Sequence, residues 1–365
     1  MPSFAVAPPI EPMLAKLAGE LPIGNFLYEP KWDGFRAIVF RAGSDLFIQS
    51  RDLRPLDRYF PELHDALLAG LPDDSVVDGE IVIATPRGLD FDALQLRLHP
   101  AASRVAKLAQ ETPSSFVAFD AIALEGRDLR RAPQEERRAL LERAFADARP
   151  PLHLTPMTRD PAEAKEWLSH FEGAGLDGVV AKAARGTYEP GKRAMIKIKH
   201  ARTADCVVAG FRWHKAGRNE LVGSLLLGLY DSDGRLQHVG VTSAFTMTVR
   251  RQLATELAPL RENALDQHPW REWAEAGEMA RMPGGHSRWS AGKDLSWEPL
   301  RVERVCEVKY DHMQGPRFRH AAVFERWRPD KRPLDCRYDQ LDVTPPYELA
   351  KVFGAARRDS DDRNR

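Results

Sequence analysis

The chain has 365 residues, 43% hydrophobic and 29% charged, enough to bury a sizeable core and to form two domains. Its 53 basic and 53 acidic residues cancel, which excludes a global polycation and leaves nucleic-acid contact to local basic faces. No apolar run approaches the roughly 18 to 20 residues that span a bilayer, and the start MPSFAVAPPIEPM lacks a basic, then apolar, secretion signal, so a cytoplasmic protein is expected.

In chain order, the short apolar runs Phe26 to Tyr28, Phe35 to Phe40 and Leu46 to Gln49, bounded by Gly, Asp and Ser, read as strands of one antiparallel sheet. Strands are also expected over Val76 to Ala84, Phe116 to Leu124, Gly178 to Lys182 and Ala194 to Ile198. Helical spacing with an early proline covers Pro133 to Asp147 and Pro161 to Gly173. This mixture predicts an α+β domain over residues 1–200.

Beyond Lys199 the pattern changes to closely spaced β segments: Ala204 to Trp213, Ser224 to Tyr230, Leu236 to Thr242, Val302 to Met313 and Ala321 to Trp327, with a helix around Thr248 to Glu262. Several short strands in such a stretch predict a small barrel of the OB-fold kind over 201–350, with the boundary near His200 to Thr203. The Gly-, Trp- and Arg-rich stretch His268 to Trp297 has no period and is expected as a long excursion. The tail 351–365 is expected to be disordered. Cys206, Cys306 and Cys336 form no CxxC pair, so inert thiols are expected rather than a zinc ribbon or a disulfide framework.

The segment Glu29-Pro30-Lys31-Trp32-Asp33-Gly34-Phe35-Arg36 puts a lysine in a turn between two strand-like runs. An amine must be neutral to attack, and nearby cations or a metal favour that form, so Lys31 is a candidate covalent nucleophile. Alone, KxDG is also ordinary hairpin chemistry. Its weight comes from company: Ser50-Arg51-Asp52, Asp78-Gly79-Glu80-Ile81, Phe116 to Asp120, Asp177-Gly178-Val179-Val180-Ala181-Lys182 and Lys197-Ile198-Lys199 follow in order, then Arg328-Pro329-Asp330-Lys331.

This series resembles motifs I, Ia, III, IIIa, IV, V and VI of the covalent nucleotidyltransferases, which include DNA ligases, RNA ligases and capping enzymes. The short two-domain form and Arg317-Phe318-Arg319-His320 are most similar to small bacterial ATP-dependent DNA ligases of the ligase C type. The resemblance implies a nucleotidyltransferase (adenylation) domain with antiparallel sheets, followed by the OB-fold barrel. It implies ATP as co-substrate, Mg²⁺ or Mn²⁺, and nicked duplex DNA as substrate.

By the same resemblance Lys31 is the nucleophile, Arg36 and Arg51 contact sugar or phosphate, and Glu80 reads a ribose hydroxyl or orients metal-bound water. Glu29 lies beside the adenine pocket, and Phe119 stacks on the base. Lys197 and Lys199, two residues apart on a strand, share a face and can both approach the α-phosphate. Asp177 stands where the family has glutamate; the carboxylate survives with a shorter reach, and a metal would be held largely through water. Arg328 and Lys331 serve the first step only, on a barrel that swings about a hinge near Lys199 to Thr203.

For DNA, backbone contacts from Arg and Lys that read nick geometry are expected, with Trp213, His214, Lys215 and Arg218 as a basic and aromatic candidate cluster. A GTP-using capping-type enzyme or RNA ligase shares Lys31 and RxDK, and a non-enzymatic OB-fold nucleic-acid binder would form no covalent adduct. An NAD⁺-dependent ligase is disfavoured, because no four-cysteine site is present. The protein is expected as a monomer, with any end-joining or excision-repair partners binding in trans.

Overall fold

The computed structural model describes residues 4–86, 88–170, 174–199, 202–275, 296–311, 313–341 and 352. The chain divides into two compact units, residues 1–200 with 344–365, and residues 201–343. The segment 344–350, expected with the barrel, lies outside the described residues, and Val352 is buried in a core of the first unit. The remainder of the 351–365 tail lies outside the described residues.

The first unit holds two mixed sheets. One runs in the order Ala15–Ala18, Met195–Ile198, Val179–Ala183, Phe26–Pro30. The other runs Leu152–Leu154, Ser115–Leu124, Ser75–Val82, Phe35–Ala42, Asp45–Ser50. Each carries one parallel pair, Ala15–Ala18 with Met195–Ile198 and Leu152–Leu154 with Ser115–Leu124, among antiparallel neighbours.

The expectation that Phe26 to Tyr28 shares a sheet with the next two runs is corrected here. Phe26–Pro30 pairs with Val179–Ala183, whereas Phe35–Ala42 pairs with Asp45–Ser50 and Ser75–Val82. The turn after Lys31 is therefore no hairpin: it carries the chain from one sheet to the other. Trp32 anchors it, with a buried indole that donates to Thr155 Oγ1 at 2.8 Å.

Strand alternation explains how the first sheet has one polar and one apolar side. Tyr28, Val179, Ala181 and Ile198 pack into a core with Ala164 and Trp167 of helix Pro161–His170. Their neighbours Glu29, Val180, Lys182 and Lys197 point the other way, and all of them line a cleft. In the second sheet, Phe35–Ala42 is covered on both faces: Ala37 and Val39 lie in one core, Ile38 and Phe40 in another. The expected helix Pro133 to Asp147 is realised as Gln134–Ala144, and helices Pro61–Gly70 and Ala102–Glu111 add to those expected.

The second unit is an antiparallel five-stranded barrel of the OB type. Its order is Leu236–Thr242, Gly217–Tyr230, Arg202–His214, Glu298–Tyr310, Val323–Trp327. The two ends of that path meet: Thr242 bridges Ala322, and the Ala322 amide donates to the Val241 carbonyl at 2.8 Å. Helix Met247–Leu257, capped by the Thr246 side chain on the Val249 amide, packs Leu253 and Leu257 into the barrel core.

Of the expected excursion, His268 and Trp270 are buried and belong to the barrel: Trp270 Nε1 donates to the Leu236 carbonyl at 2.7 Å, while His268 Nε2 lies 2.8 Å from the Ala209 carbonyl. Residues 276–295 lie outside the described set. All three cysteines are free and buried, in line with inert thiols.

Candidate active site

The cleft lies between the two sheets of the first unit. Among the described residues Lys31, Arg36, Arg51, Lys182, Arg193 and Lys197 line it, with Glu29 and Glu80 as the lining carboxylates. An excess of cations around a concave site suits a polyanionic ligand.

Main-chain pairing fixes the nucleophile candidate. The Lys31 amide donates to the Gly178 carbonyl and the Asp177 amide donates to the Lys31 carbonyl, each at 2.8 Å. This prolongs the pairing of Phe26–Pro30 with Val179–Ala183 by one rung. It also sets the two side chains together, so the Lys31 ammonium donates to Asp177 Oδ2. Gly178 has φ +131°, and a Cβ there would collide with the Ile198 carbonyl, so only glycine brings these strands so close.

Lys199 Nζ lies 3.0 Å from the same Asp177 oxygen. The structure thus places Lys197 and Lys199, expected on one face of a strand, differently. Lys197 lines the cleft, while Lys199, one residue beyond the end of its strand, turns to Asp177. Burial lowers the Lys197 pKa, and the charges of Lys31 and Lys199 lower it further.

On the opposite wall Arg36 stands directly across from Glu80 in register. A fork to Asp78 holds its guanidinium, Nε to Oδ1 at 2.7 Å and Nη2 to Oδ2 at 2.5 Å. Burial would lower the Arg36 pKa, but Asp78 outweighs it and holds Arg36 above its ordinary value. The buried Tyr188 hydroxyl donates to Asp78 Oδ2 at 2.7 Å and accepts from the Met13 amide at 3.1 Å, so a second hydrogen-bonded layer stands behind Arg36. Burial raises the Glu80 carboxyl to about 7, against the pull of Arg36 and Lys31.

Phe119 reaches the cleft through a bulge. Asp78 pairs with Asp120 and Gly79 with Ala118, which leaves Phe119 as the extra residue and re-aims its ring. Gly79 makes room for this: a Cβ there would come within 2.6 Å of the Val117 carbonyl. The Arg36 guanidinium sits 4.8 Å and the Lys182 ammonium 4.9 Å from the ring centroid.

Beneath the ring is a buried ion network that the sequence motifs do not announce. Lys182 pairs with Glu29 at 2.8 Å and donates to the Phe119 carbonyl at 2.6 Å. Arg137 holds Asp120 through Nε at 2.8 Å and Nη2 at 3.1 Å. Glu29 is buried with its pKa raised by desolvation, against Lys182 and Arg138, and among the described residues its Oε1 accepts no hydrogen bond. That oxygen, 3.6 Å from Arg138 Nη1 and beside an aromatic platform, is suited to a donor on a planar ligand.

Among the described residues no group of three or more His, Cys, Asp or Glu side chains could hold a metal ion. The carboxylates at hand are Glu80 and Asp177. That set fits a hard divalent cation that keeps water and substrate phosphate as most of its ligands, and does not fit a closed protein cage.

The RxDK residues sit in the second unit among acids. Arg328 Nη1 lies 2.8 and 3.1 Å from the two Asp205 oxygens, and Nε and Nη2 reach Asp330 at 2.9 and 2.7 Å. Lys331 Nζ is 3.4 Å from Asp205 Oδ2. Asp330 is held down to about 2 by its bonds from Arg328.

Trp213 is tied into the barrel, donating from Nε1 to Glu298 at 3.0 Å and meeting Phe211 edge-on at 4.6 Å. Lys215 and Arg218, around the tip of its hairpin, are both exposed. The structure thus separates that cluster into a packed indole and a basic hairpin.

Sequence reasoning missed Tyr188, Arg137, Arg193 and Asp205, and left Asp78 and Lys182 without roles. Those two carried a signal, as the first and last residues of their motifs. The others carried none, being isolated polar residues whose partners lie elsewhere in the chain.

Two family models match: ATP dependent DNA ligase domain over residues 10–199, and ATP dependent DNA ligase C terminal region over residues 218–331. DNA ligase C2 of Mycolicibacterium smegmatis is 58% identical, over 94% of this chain and 96% of its own. DNA ligase C of Mycobacterium tuberculosis is 56% identical, over 96% of this chain and 99% of its own. A solved structure of a Lig E DNA ligase, 17% identical, has a TM-score of 0.55 over 87% of this chain and 99% of that one, which speaks to the fold. On the matched domains and the near full-length identity, the chain belongs to the ATP-dependent DNA ligases.

Proposed function

We propose that Lys31 is the residue adenylated in this ligase, and that the cleft around it performs the nucleotidyl transfers that seal a nick in duplex DNA. The observation that carries this reading is the placement of Lys31: pinned through its own main chain, ion-paired to Asp177, and sharing a cleft with five other cations and the carboxylates Glu29 and Glu80.

In the first step the Lys31 amine attacks the α-phosphorus of ATP. A nitrogen–phosphorus bond forms, the bond to pyrophosphate breaks, and the amine loses a proton. Asp177, already bonded to the ammonium, is placed to take the proton whose loss frees the amine, and the second proton, released as the nitrogen–phosphorus bond forms, passes to the departing pyrophosphate or to water. Lys197, Arg51 and Arg36 balance charge on the phosphates in a site that excludes much of the water, where fixed charges act most strongly.

Phe119 offers its face to the adenine. Glu29 Oε1, buried and accepting no hydrogen bond among the described residues, accepts from the base edge, which favours ATP over GTP by hydrogen bonding instead of by shape.

In the second step an oxygen of the DNA 5′-phosphate displaces Lys31 from AMP, and in the third the 3′-hydroxyl displaces AMP. Glu80 and Asp177 would hold the divalent ion, Mg²⁺ or Mn²⁺, which supplies Lewis-acid stabilisation of phosphoryl oxygens. Arg328 and Lys331 serve the ATP-consuming step only. The basic hairpin at Lys215 and Arg218 contacts phosphate backbone. The protein works in the cytoplasm as a monomer in DNA repair, with end-joining or excision-repair proteins joining in trans.

The test is incubation with α-labelled ATP and Mg²⁺. An acid-stable labelled band is expected, and Lys31→Ala abolishes it without lowering the melting temperature. A band that persists in Lys31→Ala would remove Lys31 from the mechanism; a GTP-labelled band of equal strength would remove the role given to Glu29.

A further inference from the structure

We propose that Asp205 is a positioning residue for the first chemical step, its carboxylate holding Arg328 and Lys331 in the arrangement from which they act on ATP. This rests on the reading that those two cations serve the ATP-consuming step.

Asp205 is the one charged side chain in the run Ala204–Val208, whose other members are apolar and buried. It lies on strand Arg202–His214, opposite Glu307 in register. On its other edge the Gln340 side-chain amide clamps its backbone. Gln340 Oε1 accepts from the Asp205 amide at 2.8 Å, and Nε2 donates to the Asp205 carbonyl at 3.1 Å. The base of the side chain is thus fixed from both sides, and the carboxylate stands at a set point on the barrel wall.

From that point Asp205 takes both oxygens to Arg328 Nη1 and lies 3.4 Å from Lys331 Nζ. The Asp205 and Arg328 side chains are each only 14% exposed. Asp330 also binds Arg328, but it is two residues away on the same turn and 59% exposed, so it can travel with the arginine. Of the two carboxylates, Asp205 is the one that ties the turn to the barrel framework, together with the Arg328 amide bonded to the Val305 carbonyl at 2.8 Å. A long cation held in one rotamer presents its charge at less entropic cost than one that must be ordered each time ATP arrives.

The experiment compares the parent, Asp205→Asn, Asp205→Glu and Arg328→Ala as full chains. It reads the single-turnover rate of self-adenylation across ATP concentrations, the sealing of a nick that already carries 5′-AMP, and the melting temperature. Asp205→Asn keeps the shape of the side chain, and the Gln340 clamp grips only backbone, so the fold should be retained. Its adenylation is expected to need roughly tenfold more ATP, with sealing of the pre-adenylated nick unchanged. Asp205→Glu, which keeps the charge, is expected to recover part of the loss.

Normal adenylation by Asp205→Asn, alongside a defect in Arg328→Ala, overturns the role of Asp205 alone. So does a parallel loss of adenylation and pre-adenylated sealing, or an unfolded Asp205→Asn, since each makes Asp205 a general structural residue. Normal adenylation by Arg328→Ala instead overturns the reading of the RxDK cations on which the proposal stands.

Discussion

Lys197 of the cleft and Arg328 of the barrel live in opposite electrostatic surroundings in this ligase. In the cleft, Lys197 is pushed down by burial and by its cationic neighbours Lys31 and Lys199. On the barrel, Arg328 is held above its ordinary value by its hydrogen bonds to Asp330 and by the nearby Asp205. Lys197, beside Lys31 and Lys199 that share Asp177, is short of anions, and the phosphate of a substrate supplies what is missing. Arg328 is matched with anions and is held ready. Nearby positive charge stabilises phosphate whenever it is bound, whereas a matched cation must trade one partner, the exposed Asp330, for a substrate oxygen while Asp205 keeps its hold, and can be committed to one step.

The largest effect that bears on this contrast is expected at Lys197. Lys197→Ala should slow both self-adenylation and sealing of a pre-adenylated nick by about 10²-fold or more, as loss of a preorganised charge does elsewhere. Single-turnover rates of the two steps measure it. A loss confined to one step would erase the distinction between the two cations.

A middle-sized effect belongs to Glu80, whose carboxyl titrates at about 7. Adenylation should rise with pH through that value as the carboxylate forms, and Glu80→Gln should be about tenfold slower with a flat profile there. The stability change has the opposite sense. A folded pKa above the unfolded 4.5 means the fold favours the protonated form, so stability falls as pH rises from 4.5 to about 7. The full difference is roughly 3 kcal/mol. Glu80→Gln should therefore melt higher than the parent at pH 8 and like it at pH 4; a lower melting temperature at pH 8 would contradict the burial of that charge.

The smallest effect is expected at Phe119, which belongs to neither charge pattern. Phe119→Leu keeps the bulk and removes the flat π face, so KM for ATP should rise by a few-fold, with about 1 kcal/mol lost. A change in kcat with unaltered KM would mean that the ring serves the chemistry and not the base.

Much of this site was legible because chemistry of this kind is written in short runs. Lys31, Arg36, Arg51, Glu80, Phe119 and Lys197 lie in five separate segments, and all six line one cleft. Strand alternation carried information too, since the same period that sends Tyr28 and Ala181 to a core sends Glu29 and Lys182 to the cleft.

What could not be read was pairing at long range. Asp78 meets Tyr188, 110 residues on, and Asp205 meets Arg328, 123 residues on, and no local period marks such partners. The assignment of Phe26 to Tyr28 to the neighbouring sheet failed for the same reason. A turn of KxDG type signals a change of direction without saying whether the next strand pairs with the last.

The bridge between Thr242 and Ala322 has a consequence for how this protein is made. Those residues are 80 apart in the chain, 322 less 242, so the strand Leu236–Thr242 leaves the ribosome long before its closing partner exists. At about 5 to 20 residues per second, its outer edge waits roughly 4 to 16 s for translation to reach Ala322. An unpaired edge is where one nascent chain can adhere to another. Synthesis rate through this interval, and chaperones that shield such edges, should therefore govern the yield of active ligase more than the final stability of the barrel does.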